Sequence, residues 1–390
     1  MITLRGITWD HPRGYGGLRA SADAYSTLHT DVKVEWHVRS LQAFADQPAD
    51  EVASRFDLIV LDHPSIGAAA DRGVVLPLDE HLDRRILEEM AASAIGRSHE
   101  SYVWADRSWA LAIDAAAQVA AYRADLLARA DALVPRSWDD VLTMIGALRR
   151  QGLRIAMPSI PVDAVCAFLG TCRALGEEPF TNPTAVVGRP VGREALEVLR
   201  SVIERSHPAS LTWNPPSMLE HMATEDDVAF CPLAFGYSTF GREGFVPHPL
   251  RFAPGPVART DVPSGTLGGA GLAVSAASAH PDAACAYAAF VAAAETQRTT
   301  YVSGGGQPAH RAAWTDAEID ASTGGFFGDT IDAVEMAYLR PRNDGFLAFQ
   351  DRAGALVHAW LREGGDADRT LDALDATYME RVHAREGVSG

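Results

Sequence analysis

The tripeptide Asp-His-Pro occurs twice, as Asp10-His11-Pro12 and Asp62-His63-Pro64, each directly after an apolar run that reads as a strand. A carboxylate beside an imidazole offers hydrogen-bonding groups to a polar ligand. Two such pairs on one face also offer a metal two histidines and two aspartates. The same residues suit a local role as well, with Asp capping the next turn and His satisfying nearby backbone. Trp9, Arg13 and Tyr15 flank the first copy. The two aromatic rings offer flat apolar faces, Arg13 suits a carboxylate or phosphate, and Trp9 suits the core equally well. Asp114 follows a further apolar run, where it suits a helix cap or a ligand acceptor; Asp10 with Asp114 would be the carboxylate pair of a glycosidase.

The elements that must position these groups read as βαβαβ. Residues 2–8 form a strand, and Leu18, Ala22, Tyr25 and Leu28 recur at helical spacing. Val32, Val34, Trp36 and Val38 alternate with polar residues as a half-buried strand. A weaker helix covers 41–54, and Phe56–Leu61 is a short buried strand. Strands separated by helical patterns imply a mostly parallel sheet covered on both faces, and in such sheets the strand C-terminal ends line the ligand crevice. Both Asp-His-Pro loops lie at such ends. From about 115 to 262 the chain is mainly helical: Ser137 caps a helix whose apolar stripe includes Trp138, Val141, Ile145 and Leu148. Residues 236–268, rich in Gly and Pro, read as irregular.

Composition narrows the function. The 390 residues carry 34 basic and 51 acidic groups, a net charge of −17, which opposes binding to nucleic acid or anionic membrane. Lys33 is the sole lysine. Cys166, Cys172, Cys231 and Cys285 have neither metal-ligand spacing nor the density of a disulfide scaffold, and read as buried small hydrophobes. No segment has the length of a membrane span. The nucleophile-elbow, zinc-protease and P-loop motifs do not occur, and the Gly-rich 265–271 segment precedes a strand instead of following one, so no cofactor is implied.

From Ser108 to Leu142 an apolar strand ends at Asp114, a second apolar run reaches Tyr122-Arg123, a Leu-rich helical turn follows, and Pro135, Ser137 and Trp138 open an amphipathic helix. This resembles the crossing between lobes in family 1 extracellular solute-binding proteins, the sugar-type receptors of ABC importers. Gly268–Ser275, Gly304-Gly-Gly-Gln-Pro308 and Trp314-Thr-Asp316 continue the resemblance. It implies a two-lobed periplasmic-binding-protein-like α/β fold, with mostly parallel sheets flanked by helices and a hinge between lobes. Residues 1–113 and 268–318 would form the N-terminal lobe, and 114–267 and 319–390 the C-terminal lobe.

The resemblance also implies contacts. The loop holding Trp9, Asp10, His11, Arg13 and Tyr15, with Asp62, His63 and Asp114, would meet a small polar solute in the inter-lobe cleft. Trp213, Asn214 and Tyr237 would do so as exposed loop residues of the second lobe, and Gly268 and Gly269 through backbone N–H groups. The implied function is a non-enzymatic receptor, expected as a monomer, that passes a sugar, polyol or glycoside to a transmembrane permease. Rival readings are a receptor for an organic acid, which His11, Arg13, His63 and Arg342 favour, with Arg340-Pro341-Arg342 as a basic point; a cytoplasmic binding protein of the same fold; and a metal-dependent hydrolase. The resemblance implies a periplasmic or cell-surface location. Met1-Ile-Thr-Leu enters a strand at once with no leader pattern, which keeps the cytoplasmic reading open.

Overall fold

The computed structural model describes residues 1–46 and 49–380. The chain divides into two units. Unit 1 holds residues 1–116, 268–320 and 339–344, and unit 2 holds 117–267, 321–338 and 345–390.

Unit 1 is built on β1 (Ile2–Trp9), β2 (Val32–Arg39) and β3 (Leu58–Leu61), with a small hairpin of β4 (Val103–Trp104) and β5 (Arg107–Ser108). β1 pairs in parallel with β2 from Ile2↔Val32 to Trp9↔Arg39, and with β3 through Gly6↔Leu58 and Ile7↔Ile59. β6 (Leu111–Tyr122) carries the chain into unit 2, where β7 (Arg154–Ile155), β8 (Val228–Phe235) and β9 (Arg251–Ala253) follow. β10 (Leu267–Val274) brings the chain back and lies antiparallel to β3.

All four residues of β3 are buried, as expected for a strand covered on both faces. The helix Pro12–Leu28 turns Leu18, Ala22 and Tyr25 into a core with Leu4, Val60, Leu272, Tyr287 and Val291. Of the expected 41–54 helix, Leu41–Asp46 and Ala49–Ala53 are helical, and residues 47 and 48 lie outside the described set.

In unit 2, β6 pairs antiparallel with β8 and β9, and β7 pairs in parallel with β8. The β6–β8 register shifts between Val119 and Ala121, beside Pro232, which has no N–H to give the ladder. The helix Trp138–Arg150 opens with a full capping box, Ser137 and Asp140 each serving the other's backbone N–H. The helix Pro161–Ala174 is buried on almost every face. The helix Phe346–Glu363 packs on it with Gly354 against the Pro161 carbonyl, where a Cβ would stand about 2.5 Å from that oxygen. A short strand and a 3₁₀ turn at Ser238–Gly241 interrupt the irregular stretch expected over 236–268.

The expected break at Asp114 does not occur. β6 runs unbroken for 12 residues, because the Asp114 carboxylate is neutralised where it is buried and does not force the chain out to water. All four cysteines are free and buried. Among the described residues, no helix is long and apolar enough to cross a membrane.

Candidate functional site

The β1–β3 register gives the two Asp-His-Pro copies a common origin in space. Gly6 faces Leu58 and Ile7 faces Ile59, and the same offset relates Asp10 to Asp62, His11 to His63 and Pro12 to Pro64. Both tripeptides therefore leave neighbouring parallel strands at one level of unit 1. Each starts a helix, but their side chains differ in use.

At the first copy Asp10 is exposed, and its backbone N–H donates to the Arg39 carbonyl. His11 is the N-cap of the helix Pro12–Leu28, its Nδ1 accepting the Arg13 N–H at 3.0 Å. Burial, aided by the Arg13 charge, lowers the His11 pKa to about 4, so the ring is neutral at pH 7. Tyr15 is half-buried, with the Arg19 guanidinium 4.4 Å from its ring centroid. Trp9 is a core residue, 4% exposed and packed on Phe44 at 4.9 Å between ring centroids. Its role follows from β1, whose last four residues are all buried.

Arg13 and Asp114 form a buried fork. Arg13 Nε donates to Asp114 Oδ2 at 2.8 Å and Nη2 to Oδ1 at 2.5 Å, with side chains 4% and 0% exposed. Burial lifts the Asp114 pKa above the ordinary carboxylate range against the pull of Arg13. Gly269 passes directly over the Asp114 carbonyl at φ 115°, a conformation suited to glycine, and any Cβ there would collide with that oxygen. Gly268, beside it, is half-buried.

At the second copy Asp62 caps the 3₁₀ turn His63–Ser65, accepting the His63 N–H at 2.8 Å. Arg340 Nη2 donates to both Asp62 oxygens, at 2.9 and 3.2 Å. Burial alone would raise Asp62, but the Arg340 and His63 neighbours hold it well below the ordinary range. His63 is fully buried, with Nδ1 3.1 Å from Asp62 Oδ1 and, among the described residues, no hydrogen-bond partner at Nε2. Burial and the Arg340 charge lower its pKa to about 4. The nearby Arg342 donates to the Glu100 and Val103 carbonyls.

In unit 2, Trp213 is half-buried and lies against two histidines, stacked on His207 and tilted on His221, each at 4.6 Å. Asn214 caps the helix Pro215–Thr224, its Oδ1 accepting the Ser217 N–H at 3.0 Å. Tyr237, expected as an exposed aromatic, is buried at 6% exposure with its ring edge toward Phe240, because it follows the buried strand β8 and caps a 3₁₀ turn buried throughout.

Among the described residues, Asp10, His11, Asp62 and His63 do not bring three donor atoms within 4.8 Å of one another. His207, His221 and Asp227 bring three donor atoms within 4.8 Å of one another, and sequence reasoning missed them. Their only sequence signal is two histidines fourteen apart followed by an aspartate six further on, a spacing that acquires meaning only once the 3₁₀ turn and helix between them are folded. Asp114, 0% exposed and forked on Arg13, does not reach a substrate and so does not serve as the partner of Asp10 in a glycosidase pair.

A sequence model of the bacterial extracellular solute-binding protein family matches residues 20–326. A comparison with curated protein sequences finds no match. Among solved structures, the chain resembles maltose-bound MalE3 of T. maritima, with a TM-score of 0.82 at 16% identity, covering 97% of this chain and 100% of that one. It also resembles the GacH receptor of Streptomyces glaucescens, solved unliganded and with acarbose (TM-score 0.81, 18% identity, 98% of each chain). A third is an ABC transporter solute-binding protein of Agrobacterium radiobacter in complex with ribitol (TM-score 0.80, 18% identity, 98% of each chain). At these identities the likeness establishes the two-lobed α/β periplasmic-binding fold. With the family match spanning most of its length, the chain belongs to the bacterial extracellular solute-binding proteins, a family of binding proteins and not of enzymes.

Proposed function

We propose that this protein is the solute receptor of an ABC importer, that its solute is a small neutral sugar, polyol or glycoside, and that it delivers this solute to a transmembrane permease from the periplasm or cell surface. The family supports the receptor role, and the maltose, acarbose and ribitol held by its structural neighbours support the ligand class.

The observation that carries the neutral-ligand reading is electrostatic. Each cationic group that favours an anion already has an internal use. Arg13 is forked on Asp114, Arg340 grips Asp62, Arg342 donates to backbone carbonyls, and His11 and His63 are neutral at pH 7. An incoming carboxylate would have to break a buried charge pair, which costs several kcal/mol. A hydroxyl asks less. Asp10 is exposed and accepts hydrogen bonds, and the half-buried Tyr15 adds a hydroxyl.

The test is a thermal-shift and calorimetric panel of sugars, polyols, glycosides, carboxylates and amino acids. A ligand at 100 times its Kd adds about 2.7 kcal/mol to stability. A neutral polyhydroxyl compound is expected to give that shift. Stabilisation by carboxylates alone would overturn the ligand class.

A further inference from the structure

We propose that His207, His221 and Asp227 form a binding site for a divalent transition-metal ion of the zinc type. The three residues come from consecutive segments of unit 2. His207 caps the 3₁₀ turn Pro208–Leu211, His221 lies on the helix Pro215–Thr224, and Asp227 immediately precedes β8. Their donor atoms all lie within 4.8 Å of one another.

The donors converge on one carboxylate. His221 Nε2 is 2.8 Å from Asp227 Oδ1 and His207 Nε2 is 3.5 Å from Oδ2. Two donors on a tetrahedral ion with bonds of about 2.1 Å stand about 3.4 Å apart, between these two values. Two imidazole nitrogens and a carboxylate oxygen are the donor set that zinc, cobalt and nickel accept, and one further position stays open to water.

The scaffold is held on several sides. The His207 N–H donates to the Ile155 carbonyl and the Asp227 carbonyl accepts the Arg154 N–H, each at 2.8 Å, so both backbones are tied to β7. Trp213 stacks on His207 with an interplanar angle of 11° and tilts against His221, fixing both ring planes. The side chains are 21%, 24% and 41% exposed for His207, His221 and Asp227, open enough for an ion to enter from solvent. The Arg154 cation also faces the cluster and opposes the ion's charge.

The chemistry of loading is defined. His207 Nδ1 accepts the Ala209 N–H at 3.2 Å, so the neutral ring carries its proton on Nε2, toward Asp227. The ion takes the position of that proton. His221, whose Nε2 also faces Asp227, shifts its proton in the same way, so both rings then bear it on Nδ1; His207 gives up the long Ala209 bond, and Asp227 exchanges its imidazole contacts for the metal.

The experiment uses the tag-free full chain titrated with ZnSO4 by calorimetry and with CoCl2 by visible absorption. One equivalent of each ion is expected, with cobalt bands of low coordination number that zinc abolishes. His221→Ala and Asp227→Asn should each weaken binding about tenfold or more, and His280→Ala should leave it unchanged. Circular dichroism melting establishes that each variant is folded. Should a variant fail to fold, Trp213→Phe decides: cobalt should quench wild-type tryptophan fluorescence, and this variant should lose the quenching while still binding one equivalent. No saturable binding in the wild type, binding indifferent to the substitutions, or quenching unchanged in Trp213→Phe would overturn the site.

Discussion

Arg13 and Asp114 show why residue type and position left the role of a charged side chain open. In sequence both suit a ligand: an arginine in a strand-end loop and an aspartate after an apolar run. In the fold they neutralise each other, at 2.5 and 2.8 Å, beneath the surface. Arg13→Ala would leave a buried carboxylate without its partner, at a cost of about 3–5 kcal/mol. Urea denaturation should show a midpoint well below wild type, with any surviving solute affinity little changed in the folded fraction. Asp10 and Tyr15 form the opposite case, since both reach solvent. Asp10→Ala and Tyr15→Ala should each reduce affinity for the stabilising sugar or polyol by about tenfold, the worth of one or two hydrogen bonds, with stability within about 0.5 kcal/mol of wild type. Parallel calorimetry and denaturation of the two variants separate these effects; a large loss of stability would return both residues to a structural role.

At the scale of elements the sequence was most legible where a single local rule decides. The strands β1 and β2, the helix Pro12–Leu28 and the capped helix Trp138–Arg150 all stand where hydrophobic period and capping residues put them. Ser137→Ala should remove one half of the capping box and cost about 1 kcal/mol, a difference that chemical denaturation resolves and that Ser137→Asp should largely recover. Legibility failed where a distant partner changes the local rule. The 111–122 segment reads as two runs because Asp114 interrupts its apolar character, yet Arg13, 101 residues away in the chain, lets it continue as one strand. Tyr237 reads as an exposed loop aromatic because Gly and Pro surround it, yet the 3₁₀ turn it opens is buried. The two Asp-His-Pro copies were visible as a repeated motif, but only the register of β1 against β3 shows that they occupy equivalent places, and only Arg340, hundreds of residues later, separates their roles.

The whole molecule carries a formal charge of −17, so acid titrates many groups at once, but the histidines whose pKa burial lowers, His11, His63, His99, His207 and His310, set the direction of the first response. His11 and His63 are held neutral in the fold with pKa values near 4, against 6.5 for the ordinary group. Between pH 6.5 and 4 the unfolded chain therefore binds protons that the folded chain refuses. Stability must rise with pH through that window and fall as the solution is acidified, by up to about 1.4 kcal/mol per pH unit for each such group. The loss begins above the pH at which carboxylates protonate, so a stability profile should already decline from pH 6.5. His11→Asn tests the cause, because asparagine retains an N-cap acceptor for the Arg13 N–H and removes the titrating ring. Its stability should match wild type near pH 7, exceed it at pH 4.5, and show a shallower slope between. An unaltered slope would mean that the His11 ring titrates in the fold as it does in water, and its neutral character in the loop proposed to meet the solute would have to be given up with it.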